Sequence, residues 1–177
     1  MPSLLQSLLH NPTISRIRRN HGLEHATIHL LSQRHPQRTF IGRSDAGGFT
    51  LFGEVETSTL RELVLDALAR LRRGEHQLAI HPNCGTNLVT SALLAGGASF
   101  FALTGSEREG WLRRLERLPN AILLSMGALL IAQPLGRAAQ KHMTVQADPQ
   151  DLEVLGIHRM GEEPRPIHRI ITAPSYD

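Results

Sequence analysis

Two residues that most chains of this size carry in number appear here once each: Cys84 is the only cysteine and Lys141 the only lysine among 177 residues. One thiol excludes an internal disulfide framework, and with it the small stapled scaffolds of oxidising compartments. The net charge of +3 is therefore carried almost wholly by arginine. Aromatic residues make up only 4% of the chain and the arginines are scattered, so no basic stripe interleaved with stacking rings exists and nucleic-acid binding is not expected. The stretch MPSLLQSLLHNP at the N-terminus lacks the basic start and the long apolar run of a signal peptide, so any membrane insertion has to use internal segments. Internal repeats are absent as well.

Two such segments are present. Residues 86–105, TNLVTSALLAGGASFFALTG, carry no charge and have about the length that spans a hydrocarbon core. Residues 118–136, LPNAILLSMGALLIAQPLG, are also uncharged and lie between Arg117 and Arg137. Ser91, Ala95 and Ser99 recur at four-residue spacing in the first, and Ala128 and Ala132 in the second, which suits close packing of two membrane helices. Two buried helices of a soluble protein would pass the same test, because Gly, Ser and Thr dilute the hydrophobicity. The intervening GSEREGWLRRLER places Trp111 among Arg108, Arg113, Arg114 and Arg117, a mixture expected at a headgroup interface or in a solvated loop.

Ahead of these segments the pattern is mixed. Thr13 or Ser15 is positioned to cap a helix running to about Gln33, which HPQR at 35–38 ends. TFIGRSDAGGFTLFGEVET reads as a β-hairpin with SDAGG as its turn, and STLRELVLDALARLRR as a helix stopped by Gly74. HQLAI reads as a short strand. After Lys141 come a turn around Asp148 and Pro149, a short helix and a Pro-rich end.

The chemistry concentrates in RNHGLEHATIHLL. His21, Glu24 and His25 spell HxxEH, the reverse of the zincin HExxH; two histidines one turn apart can face one metal while the adjacent glutamate serves as base to a water. A polar helix face is the plain alternative. The second cluster, HPNCGTN, offers the His81 imidazole and the Cys84 thiol three residues apart on a turn held by Pro82 and Gly85. His21, His25, His81 and Cys84 together make a tetrahedral zinc set. Cys84 also precedes a helix N-terminus, which favours the thiolate and suits either a metal ligand or a nucleophile paired with His81. A cap by Thr86 or Asn87 with Cys84 as apolar filler explains the same residues without any chemistry. Glu54 and Glu56 are further carboxylate candidates, and His29 extends the histidine stripe by one turn.

HGLEHATI followed by HPNCGTN resembles the YqhQ-type family of bacterial membrane proteins of uncharacterised, metal-dependent character, whose members carry similar paired motifs. PLGRAAQKHMTVQADPQDLEV is similar in spacing too, through Pro134, Gly136, Gln140, Thr144, Pro149, Leu152, Glu153 and Val154. The resemblance covers about half the chain and implies either that family or a sister of it, with a metal site on His21, Glu24, His25, His81 and Cys84. Where that family has an acidic residue shortly after the first motif, this chain has His29 and Ser32.

The expectation is thus an α+β fold: a helix carrying HxxEH, a β-hairpin and a helix, then a two-helix transmembrane hairpin and a short tail. The regions are residues 1–85 (metal-binding), 86–136 (the hairpin) and 137–177, which packs back on the first. The expected function is a zinc-dependent, peptidase-like hydrolase of the bacterial inner membrane, with His21, His25, His81 and Cys84 on the metal and Glu24 as base. A structural metal site and a cysteine-dependent hydrolase are the alternatives, since four protein ligands leave no open position. The lipid bilayer is the expected partner, with self-association through the hairpin helices and both termini on the cytoplasmic side. No motif defines a substrate.

Overall fold

The computed structural model describes residues 4–104, 115–160 and 166–174. The interfacial mixture around Trp111 lies outside the described residues. The chain forms two compact units, one of residues 1–81 and 141–177 and the other of residues 82–140.

The first unit is α+β. A short helix α1 (Leu4–Leu9) leads to the long helix α2 (Pro12–Arg34), and Asn11 caps α2 by accepting the Thr13 and Ile14 amides on Oδ1, at 3.0 and 3.4 Å. Pro12 at the first helical position loses no hydrogen bond there. The capping residue is thus Asn11, two residues ahead of Thr13, and α2 ends at His35 before Pro36. Strands β1 (Ile41–Asp45) and β2 (Gly48–Phe52) follow as an antiparallel hairpin, its turn closed by Asp45 Oδ1 accepting the Gly47 amide at 2.8 Å. Helix α3 (Thr57–Arg72) and a 3-10 turn (His76–Ala79) complete the N-terminal part.

The C-terminal residues add a five-residue π turn (Gln140–Thr144), then β3 (Leu152–Arg159) and β4 (Ile167–Pro174). These make a four-stranded antiparallel sheet of order β1-β2-β4-β3. The tail is therefore half of the sheet: the expected turn is present, with the Leu152 amide donating to the Pro149 carbonyl at 3.0 Å, and a strand stands in place of the expected short helix. β4 disguises itself because its core side carries His168 and Thr172, both buried, next to Ile170, whereas Ile167 and Ile171 point the other way. HQLAI is likewise not a strand: its backbone coils into the 3-10 turn, and its carbonyls go to side chains of α2. Side chains from α2, α3 and the inner sheet face form one core, in which Leu23, Leu31, Phe49, Leu51, Leu60, Leu71, Leu152 and Ile170 are almost fully buried.

The second unit contains α4 (Gly85–Leu103) and α5 (Leu118–Ala139), both long and apolar enough to cross a membrane. At 1.5 Å per residue α4 is about 28 Å long, close to the thickness of a hydrocarbon core. They run antiparallel: Asn87 lies beside Gly136, Ser99 Oγ beside Ser125 Oγ at 2.6 Å, and Thr104 beside Arg117. The Ser125 hydroxyl also donates to the Ala95 carbonyl, at 3.2 Å. Small residues fill the seam of α5, with Ala121, Ala132 and Gly136 buried, while Leu93, Phe100, Phe101 and Leu130 are more than two-thirds exposed. Small inside and large apolar outside is the reverse of a soluble helical pair, and it is how helices pack in lipid.

Candidate metal site

Between Arg19 and Leu31 helix α2 is buried on most sides. Three histidines at four-residue spacing, His21, His25 and His29, share one face. Each is fixed through Nδ1 to a backbone carbonyl: His21 to Thr144 at 3.0 Å, His25 to Ala79 at 2.7 Å, and His29 to Leu78 at 2.9 Å. A carbonyl can only accept, so Nδ1 carries a proton in each ring, and in the neutral imidazole the lone pair is then on Nε2. This arrangement orients imidazoles for metal ligation.

His81, where the 3-10 turn runs out, joins them. Its ring centroid lies 5.8 Å from that of His25 and 5.0 Å from that of His29, and His21 and His25 are 4.3 Å apart. Burial, reinforced by the neighbouring His25 and His29, pushes the His81 imidazole down to about 4, so it is neutral at pH 7 and in the form that ligates.

Local sequence explains the carbonyls' positions. At Gly22 an added Cβ would stand 2.7 Å from the Gln146 carbonyl oxygen, so only glycine lets the C-terminal segment press against α2. The Gln146 amide donates to the Arg18 carbonyl at 3.0 Å, and the same approach brings Thr144 over His21. On the other side the 3-10 turn exposes consecutive carbonyls of Leu78 and Ala79 to consecutive turns of α2.

Glu24 points to the sheet. It is buried, its carboxylate accepts the Ser44 hydroxyl of β1, and it lies over Gly42, where a side chain would collide with it. Glu54 and Glu56 are exposed, and Glu54 pairs with Arg38. His29, which the sequence reading treated as an extension of the stripe, belongs to the ring cluster; its four-residue spacing from His25 was the available signal.

In the second unit Cys84 caps α4, its buried Sγ accepting the Thr86 amide at 3.4 Å, and Asn87 Nδ2 donates to the Pro82 carbonyl at 2.7 Å. His21, His25 and Cys84 each supply a ligand atom of the kind that holds a transition-metal ion.

Over 161 residues the chain is 38% identical to an uncharacterised protein of Picosynechococcus sp., an alignment covering 83% of this chain and 74% of the relative. No solved structure matches. A family model matches residues 16–157, a span that includes both HGLEH and HPNCGTN, and the chain belongs to that family, described as a domain of unknown function (DUF6391).

Proposed function

We propose that this chain is a membrane-anchored, zinc-dependent hydrolase. The observation that carries the metal reading is the locking of His21 and His25, one turn apart on one helix face, by Nδ1–H donation to main-chain carbonyls. A surface stripe of histidines has no need of that orientation, and a metal site does. His21, His25 and His81 would hold the ion, with Cys84 as the fourth ligand: it follows His81 by three residues, a reach of about 10 Å along the chain. Zinc, when bound, supplies Lewis-acid polarisation of a substrate's carbonyl or phosphoryl oxygen. Glu24, one residue before His25, would serve as base to the attacking water, its carboxylate accepting the Ser44 hydroxyl. The two motifs' likeness to YqhQ-type membrane proteins points the same way and fits a sister family.

Anchoring rests on α4 and α5, whose small-residue seam and large apolar exterior suit a lipid surround. The hairpin would leave both termini on the cytoplasmic side of a bacterial inner membrane.

One observation favours a second reading. The Glu24 carboxylate is engaged by β1, and a set of four protein ligands has the closed character of a structural site. Cys84→Ser discriminates among the chemistries. Loss of metal from that variant supports ligation; unchanged metal content with lost turnover assigns Cys84 as a nucleophile instead.

A further inference from the structure

The first unit contains a cavity of about 580 Å³ that the histidine chemistry does not use. Three basic side chains line it, Arg18 from α2, His76 from the 3-10 turn and Lys141 from the π turn. None of the three makes an ion pair among the described residues. Arg18 donates through Nη2 to the carbonyls of Val145, at 3.2 Å, and His142, at 3.5 Å, and its Nε is buried with no hydrogen-bond partner among the described residues. Burial holds this guanidinium below its ordinary range, the mark of a cation desolvated without a compensating carboxylate. The one acidic residue on the wall, Asp148, has its Oδ1 taken by the Gln150 amide at 2.9 Å.

The remaining wall is amphipathic. Gln77 and Gln146 contribute amides, and because Gln146 Oε1 already receives the Ser15 hydroxyl at 3.0 Å, its amide N–H groups are what it offers. Ile80 and Val145 supply an apolar surface. The volume falls in the range of small-molecule sites and far exceeds what a lone inorganic anion fills.

We propose that this cavity binds an organic phosphate ester, its phosphate held between Arg18 and Lys141 and its organic part lying against Ile80 and Val145 and hydrogen-bonded by Gln77 and Gln146. Guanidinium and ammonium groups recognise phosphate through charge-assisted hydrogen bonds, and the dianion matches two cations with His76 beside them. The cavity is separate from the histidine cluster, although Ile80 adjoins His81 and Val145 adjoins Thr144, so the inference stands whether or not the metal reading does.

The test is calorimetric titration of the full chain in a phosphate-free detergent with two probes, glycerol 3-phosphate and dihexanoyl phosphatidic acid. Saturable binding is expected for at least one of them, weakened about tenfold or more by Lys141→Gln and by Arg18→Gln. Lys141 is exposed, so its variant remains informative even where Arg18→Gln unfolds the segment at Val145. Binding of both probes assigns a water-soluble ester; binding of the lipid alone assigns a headgroup. Treatment with a strong chelator should leave the affinity unchanged. No saturable binding of either probe, equal affinity in both variants, or loss of binding on chelation overturns the proposal.

Discussion

Gly22 and Gln146 meet main chain to main chain, with room for a hydrogen but not a methyl group between the helix and the Gln146 carbonyl. Alanine is the better helix former by about 1 kcal/mol, so propensity alone would make Gly22→Ala stabilising. The opposite is expected here, because the obstacle is backbone and cannot rotate away; overpacking of this kind costs about 1–3 kcal/mol. A lowered melting temperature together with weakened metal retention, as His21 loses its Thr144 partner, is the predicted outcome in thermal melts and elemental analysis. An unchanged or raised melting temperature would sink this account of the glycine.

Glu24 separates catalysis from structure. Glu24→Gln keeps the shape and a carbonyl oxygen to accept the Ser44 hydroxyl, yet it cannot take up a proton. Metal content and thermal stability should stay nearly constant while turnover falls on the order of a hundredfold or more. A variant that loses its metal would instead place Glu24 in the ligand set or as its support, and the structural reading would gain.

His168 sets the acid side of stability. It is buried on the core face of β4, its Nε2 lies 3.0 Å from the Thr57 hydroxyl, and its Nδ1 has no partner among the described residues. Burial, with a contribution from Arg159, lowers its pKa below the ordinary histidine value. The unfolded chain therefore binds this proton more readily than the folded one, so the stability concerned is present above about pH 6.5 and is lost as pH falls towards the folded value. Melts of chelator-treated protein at stepwise lower pH should show this loss, and His168→Leu should flatten it relative to wild type. Equal acid slopes in the two proteins would contradict the assignment.

Leu93 of α4 tests the hairpin's surroundings. It is 71% exposed on the unit's exterior, so an arginine there meets no protein neighbour and in water would be harmless. In a bilayer it costs about 2.5–3.5 kcal/mol at the centre of a helix. Leu93→Arg should shift the protein out of the carbonate-resistant membrane fraction, whereas an unaltered distribution would speak against a lipid-facing exterior.

What could be read in the sequence divides along physical lines. The α4–α5 hairpin and α2 were legible because length and lack of charge are local properties, although the cap of α2 is Asn11 and not Thr13 or Ser15. Much of the sheet was not: β4 hides its pattern behind a buried His168 and Thr172, and β3 gains its meaning only from pairing with β4. HQLAI looked like a strand because five residues carry too little periodicity to distinguish one from a 3-10 turn. At the site, histidine spacing on α2 was visible at once. The carbonyls that orient the rings were not, since Thr144 lies 123 residues from His21 in the chain. Gly22 was the local trace of that distant approach.

The central claim is that the oriented histidines hold a metal, and X-ray absorption at the zinc edge with elemental analysis on purified full-length protein tests it most directly. The account predicts about one ion per chain in a shell of imidazole nitrogens with one sulfur, lost when His21 and His25 are both replaced by alanine. Wild-type occupancy in that double variant, or protein that takes up no metal when zinc is supplied, would contradict it.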